Sequence, residues 1–75
     1  MIAFVEYTDT FGGEANYSWV RRAEFDADGL SDRAIMRRAK LEMGLSGVRG
    51  RTYRYGDMLE FRPYGMCRAM FVTFM

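Results

Sequence analysis

Arginine and tyrosine alternate through Arg49-x-Arg51-x-Tyr53, and Arg62 and Arg68 follow at spacings that return them beside it if the chain folds as a meander. Guanidinium forks bind phosphate or carboxylate through paired N–H donors, and tyrosine adds rigid contact area with little rotamer entropy to lose. The chemistry this stretch offers is non-covalent capture of an anionic or polar surface. Opposite charges across strands are also simply stabilising, by about 0.2–1 kcal/mol per pair, so a solvated sheet face would look the same. Bond-breaking chemistry has less to work with. The 75 residues include no histidine and one cysteine, Cys67. That removes Ser-His-Asp and Cys-His nucleophile systems and Cys/His zinc sites, and neither enzyme activity nor a cofactor is expected.

The acids Glu24, Asp26, Asp28 and Asp32 have some look of a metal loop. A calcium loop closes with a bidentate glutamate at its twelfth position, which here falls on Ile35, Arg37 or Ala39 depending on the starting residue. No metal is expected, and these residues read as a solvated turn and a helix start. Phe11-Gly12-Gly13-Glu14 lacks the lysine and hydroxyl residue of a phosphate-binding loop and reads as a connection between strands.

Charge is divided along the chain. Residues 1–32 carry seven acids and two bases, a balance of −5, and residues 33–75 carry nine bases and three acids, a balance of +6. Such asymmetry implies either a basic working face or two halves that attract each other in the fold. A lone cysteine suits a reducing, cytoplasmic setting. No basic segment followed by an apolar one opens the chain, so no signal peptide is expected. The longest apolar run covers residues 1–5, far short of a membrane span, so no membrane partner is expected.

One domain over residues 1–75 must position these groups, and at this length its core is thin. A first strand is read at residues 2–8. A second runs over about 17–25, with Tyr17, Trp19, Ala23 and Phe25 sharing a face and a bulge near Val20-Arg21 to place Arg21. Ser31 is a good N-cap, Asp32 suits the first turn, and a helix over 32–43 stops at Gly44. Ile35, Ala39 and Met43 form one apolar row and Ala34, Leu41 and Leu45 another. Arg33, Arg37 and Lys40 face water, and Arg38 lies four residues before Glu42, a spacing that allows an ion pair.

The last third reads as a three-stranded meander. With Tyr55-Gly56 as the first loop, Thr52 opposes Leu59 and Arg51 opposes Glu60. With Pro63 leading a three-residue loop closed by Gly65, Phe61 opposes Cys67 and Glu60 opposes Arg68. One face then holds Val48, Gly50, Thr52, Leu59, Phe61, Cys67, Ala69 and Phe71 against the helix. The other holds Arg49, Arg51, Tyr53, Met58, Glu60, Arg62, Arg68 and Met70. Val72 and Phe74 fall on that charged face and demand a cover, from the first hairpin or from a second copy, leaving monomer and homodimer both open. The expected fold is α+β, a β-β-α-β-β-β chain with an antiparallel sheet of about five strands and one helix on one face.

Arg51-Thr52-Tyr53-Arg54-Tyr55-Gly56 has a faint ribonucleoprotein-strand character, but an RNA-recognition motif needs two helices and only one is readable. Residues 11–22 (Phe-Gly-Gly-Glu-Ala-Asn-Tyr-Ser-Trp-Val-Arg-Arg) and 31–35 (Ser-Asp-Arg-Ala-Ile), with Tyr55-Gly56-Asp57 and residues 60–65 (Glu-Phe-Arg-Pro-Tyr-Gly), resemble segments of small proteins carried by bacteriophages and prophages. Some proteins of that kind are anti-CRISPR inhibitors of type I multisubunit systems. The resemblance implies a stoichiometric binder that docks on a host CRISPR surveillance complex and blocks target DNA binding or nuclease recruitment. It supplies no site residues. The residues themselves nominate Arg49, Arg51, Tyr53, Arg62 and Arg68 as the partner-binding surface. A nucleic-acid-binding accessory protein using that same face is the competing expectation.

Overall fold

A computed structural model describes residues 1–9 and 20–74. The order is β1 (Ile2–Asp9), β2 (Val20–Asp26), α1 (Asp32–Glu42), β3 (Gly50–Tyr55), β4 (Met58–Pro63) and β5 (Arg68–Phe74). The strands form one antiparallel sheet ordered β2-β1-β5-β4-β3. This is the expected α+β architecture. Phe11-Gly12-Gly13-Glu14, Tyr17 and Trp19 lie outside the described residues.

The helix is held at both ends by its own sequence. Ser31 Oγ accepts from the Ala34 N–H at 3.2 Å, satisfying one of the donors a helix start leaves unpaired. At the other end Gly44 N–H donates to the Leu41 carbonyl at 3.2 Å and Leu45 N–H to the Lys40 carbonyl at 2.7 Å. Those two bonds are the Schellman pattern, and Leu45 is buried as that pattern favours. Ile35, Met36, Ala39 and Met43 turn onto the sheet, where they meet Val5, Tyr7, Phe25, Leu59, Phe61, Met70 and Val72 in one core. Arg38 pairs with Glu42 at 2.8 Å, as their spacing allows. Leu41, expected in an apolar row, is 62% exposed, because at 3.6 residues per turn it lies on the side of the helix away from the buried Ile35, Ala39 and Met43.

Register departs from expectation in two hairpins, with different consequences. The β3–β4 turn is Gly56-Asp57 with Tyr55 opposite Met58, so Thr52 opposes Phe61 where Leu59 was expected. Gly56 takes φ +56°, as the first central position of a tight two-residue hairpin requires. The displacement is two residues, an even number, so every side chain on β3 keeps its face. The β4–β5 connection is a longer loop over residues 64–67, and Phe61 opposes Met70 where Cys67 was expected. That displacement is three residues, an odd number, and β5 turns over.

Several expectations on β5 fall with it. Met70, Val72 and Phe74 lie on the helix side, paired across β1 with Tyr7, Val5 and Ala3. Val72 is fully buried there, so it needs no second copy to cover it. Ala69 and Phe71 move to the opposite face, and Cys67 is exposed in the loop rather than packed in the core. Pro63 does not lead a turn. It ends β4 opposite Gly50, where the β4–β5 ladder has already stopped at Phe61–Met70 and no N–H is missed. The bulge expected in β2 is also absent from the described residues. The β1–β2 ladder runs unbroken from Ile2–Asp26 to Thr8–Val20, and Arg21 takes its place in line opposite Tyr7.

Five strands about 4.8 Å apart separate the outermost two by roughly 19 Å, whereas one helix with its side chains is about 10–12 Å wide. One helix therefore leaves part of the sheet uncovered. Arg38 lies over the Phe25 ring of β2 at 5.2 Å and Lys40 over the Phe61 ring of β4 at 4.7 Å, which places α1 between those strands. The helix-facing side of β3 is what remains open, and Thr52 there is exposed. Among the described residues, no helix is long and apolar enough to cross a membrane.

Candidate interaction surface at the β3–β4 edge

Four of the five nominated residues come together and one does not. Arg51 and Arg62 are direct partners across β3 and β4, Tyr53 opposes Glu60, and Arg49 lies two residues before Arg51. All belong to the outermost hairpin, on the sheet face away from the helix or directly before it. Arg68 lies on the other face because β5 has turned over. Its Nη1 reaches the Tyr7 hydroxyl at 3.4 Å, on the far side of β5 from β3. The contact with Tyr7, with Asp9 nearby, holds its pKa above the ordinary arginine value. The expected Arg51–Glu60–Arg68 ladder is thus replaced. Glu60 stands between Tyr53 and Phe71, and Arg51 stands beside Arg62.

Two adjacent guanidinium groups repel unless something separates or neutralises them. Arg62 Nε donates to Glu60 Oε2 two positions away on its own strand. Glu60 is 7% exposed, so the carboxylate is placed to neutralise Arg62 from beneath rather than to compete for a partner. Arg51 is held differently. The phenols of Tyr53 and, second, Tyr64 beside it hold its pKa above the ordinary value. A neutral phenol nearby leaves the guanidinium charge in place. Tyr64 was not among the nominated residues, since reading Pro63 as a turn former sent it into solvent beyond the strand. In the structure its N–H donates to the Arg49 carbonyl at 3.0 Å, extending the hairpin, and its side chain remains exposed. Tyr53 and Tyr55 stack with centroids 6.2 Å apart and planes 22° from parallel, continuing the surface toward the hairpin tip.

The opposite edge treats its charges differently. Arg22 of β2 pairs with Glu6 of β1 at 3.5 Å. Three of the four acids weighed as a metal loop are committed elsewhere. Asp26 Oδ1 accepts from the Asp28 N–H at 2.9 Å, Asp28 pairs with the terminal ammonium at 2.7 Å, and Asp32 pairs with Arg54 Nη1 at 2.6 Å. Among the described residues, no three acids or thiols gather as metal ligands would. Sheet order also decides how the divided charge is displayed. β1 and β2 lie on one side of β5 and β3 and β4 on the other, so the two halves meet within the sheet only where β5 pairs with β1. The result is a basic, tyrosine-rich hairpin at one margin of the molecule. The chain matches no family model, no curated protein and no solved structure.

Proposed function

We propose that this chain is a non-catalytic binding protein that captures a protein partner through the β3–β4 hairpin. In keeping with its resemblance to phage-borne proteins, the partner is a type I CRISPR surveillance complex in the bacterial cytoplasm. Binding blocks target DNA binding or nuclease recruitment by occupying the surface. The observation that carries the reading is the cross-strand Arg51–Arg62 pair, the first with tyrosines beside it and the second bonded to Glu60. Such a surface presents fixed donors to a carboxylate-bearing partner at little entropic cost. Arg49 and Tyr64 extend it, and Arg68 has no part in it.

A second reading rests on the stacked Tyr53 and Tyr55 beside these arginines, since unpaired bases stack on aromatic side chains above a basic groove. Salt dependence separates the two, because affinity for nucleic acid falls steeply as condensed counterions are released.

The test is binding of the purified chain to a purified type I surveillance complex, with target DNA capture as the second readout. The parent chain is expected to bind and to lower DNA capture. The Arg51→Ala/Arg62→Ala variant is expected to bind at least about tenfold more weakly, with thermal unfolding shifted by no more than surface substitutions usually cause. A double variant that inhibits as well as the parent removes this surface from the proposal. A parent chain that binds duplex or single-stranded DNA, with a steep salt slope, and ignores the complex replaces it with the second reading.

A further inference from the structure

The geometry points to β3 as an open docking edge: we propose that an acidic, extended peptide segment of the partner adds beside β3 as a sixth strand and lays its carboxylates into the basic groove between β3 and α1. The inference rests on the protein-partner reading above and specifies what part of the partner is gripped.

Main-chain direction is the first support. Tyr64 N–H bonds the Arg49 carbonyl, and hydrogen-bonded pairs alternate along an antiparallel ladder. The bonded pairs are therefore Arg51–Arg62, Tyr53–Glu60 and Tyr55–Met58, the last closing the two-residue turn as such turns require. It follows that the N–H and C=O groups of Gly50, Thr52 and Arg54 point away from β4. Among the described residues no strand lies on that side. A row of alternating donors and acceptors at strand spacing is what another extended peptide matches and a phosphate backbone does not.

Charge is the second support. Side chains at Thr52 and Arg54 face the side of the helix, and a groove of about 550 Å³ lies there. Met36 and Leu59 form its apolar floor, Arg33, Arg37 and Lys40 of α1 form its wall, and the one acid lining it, Asp32, is paired with Arg54. Lys40 is anchored to the Val48 carbonyl at 2.7 Å. Arg33 and Arg37, one helical turn apart and exposed, make no ion pair among the described residues. On an added strand, alternate residues would face this wall, so carboxylates at every second position meet both arginines. A second copy of the chain is a poor occupant, because two β3 edges would bring both sets of guanidinium groups together.

The probe is a short peptide of alternating threonine and glutamate, titrated into the isotope-labelled chain while amide shifts and amide exchange are followed. Shift changes along β3 are expected, together with slowed exchange of the Thr52 and Arg54 amides. The same peptide N-methylated along one edge is expected to lose binding. The Arg33→Glu/Arg37→Glu variant is expected to bind the acidic peptide roughly tenfold more weakly, as two screened ion pairs are together worth. The inference is overturned if the Thr52 and Arg54 amides stay unprotected at saturation, or if the N-methylated peptide binds equally well. Equal binding of a threonine-lysine peptide, stronger protection by oligothymidylate, or protection that rises with protein concentration alone would overturn it as well. Because the probe is a peptide, a negative result leaves the surveillance-complex assay unaffected, and failure of that assay leaves the peptide result standing.

Discussion

The two margins of the sheet are made of similar material and finished in opposite ways. On β2, Phe25 is buried beneath Arg38 of the helix, and Arg22 is paired with Glu6 of the neighbouring strand. That strand carries two bases, Arg21 and Arg22, and two acids, Glu24 and Asp26, so its charges balance. On β3 there is no acid at all. Its inner residue Thr52 is exposed, and the phenols beside Arg51 leave its charge in place. Charge on an edge strand discourages unwanted pairing with other chains. The β2 margin has Phe25 packed under the helix and one ion pair to its neighbouring strand. The β3 margin is guarded mainly by positive charge, with Asp32 tied to Arg54 at its end, and a guard largely of one sign excludes most partners while admitting those of the other. The difference follows from one helix seated toward one side of a five-stranded sheet.

That contrast can be broken most forcefully from beneath. Leu59 is 2% exposed and is the last fully packed residue before the open side of β3. Leu59→Ala is expected to cost about 2–5 kcal/mol in denaturant unfolding, whereas Thr52→Ala on the adjacent strand and the same face should stay within about 0.5 kcal/mol. Equal effects would mean that the groove is closed in solution. Gly50 comes next. A Cβ there would lie 2.3 Å from the Arg62 carbonyl oxygen and 2.8 Å from Phe61 Cε1, so Gly50→Ala must push β3 away from β4. A destabilisation of about 1–3 kcal/mol is expected, with the largest amide shift changes confined to the β3–β4 hairpin.

The smallest effects sharpen the comparison. Arg54 Nη1 ties β3 to Asp32 at the start of α1 across the open end of the groove, both side chains being about half exposed. Arg54→Ala is expected to cost about 0.2–1 kcal/mol and to speed amide exchange in β3. The more exposed Arg22→Ala should sit at the bottom of that range with no change in β2 exchange. Identical exchange responses at the two margins would show that β3 is no looser than β2.

Much of this molecule was readable from local chemistry. Ser31, Asp32 and Gly44 bound the helix where their types predict, and the facing of Leu59 and Phe61 toward it survived a register error on β3. The site was only partly readable. That Arg49, Arg51, Tyr53 and Arg62 lie together was legible because a hairpin keeps its members together whatever its exact loop length. Arg68 was expected on the wrong face because β5 is the central strand. Its run Ala69-Met70-Phe71-Val72 is apolar on both faces, so alternation, the usual indicator of which side points inward, is missing. The facing of β5 therefore hung on whether Pro63 starts a turn or ends a strand. Both are compatible with its fixed φ and missing N–H, and the choice between them moved the register by an odd number.

The order of elements, the caps of the helix and the alternation of β3 and β4 were determined by the sequence itself, since each depends on interactions within a few residues. Tertiary structure alone decided that β5 takes the middle of the sheet and that the acidic and basic halves end at opposite margins. It also decided that the helix leaves β3 uncovered. Those outcomes depend on how strands far apart in the chain share one buried surface, and a residue's neighbours in sequence carry no record of that competition.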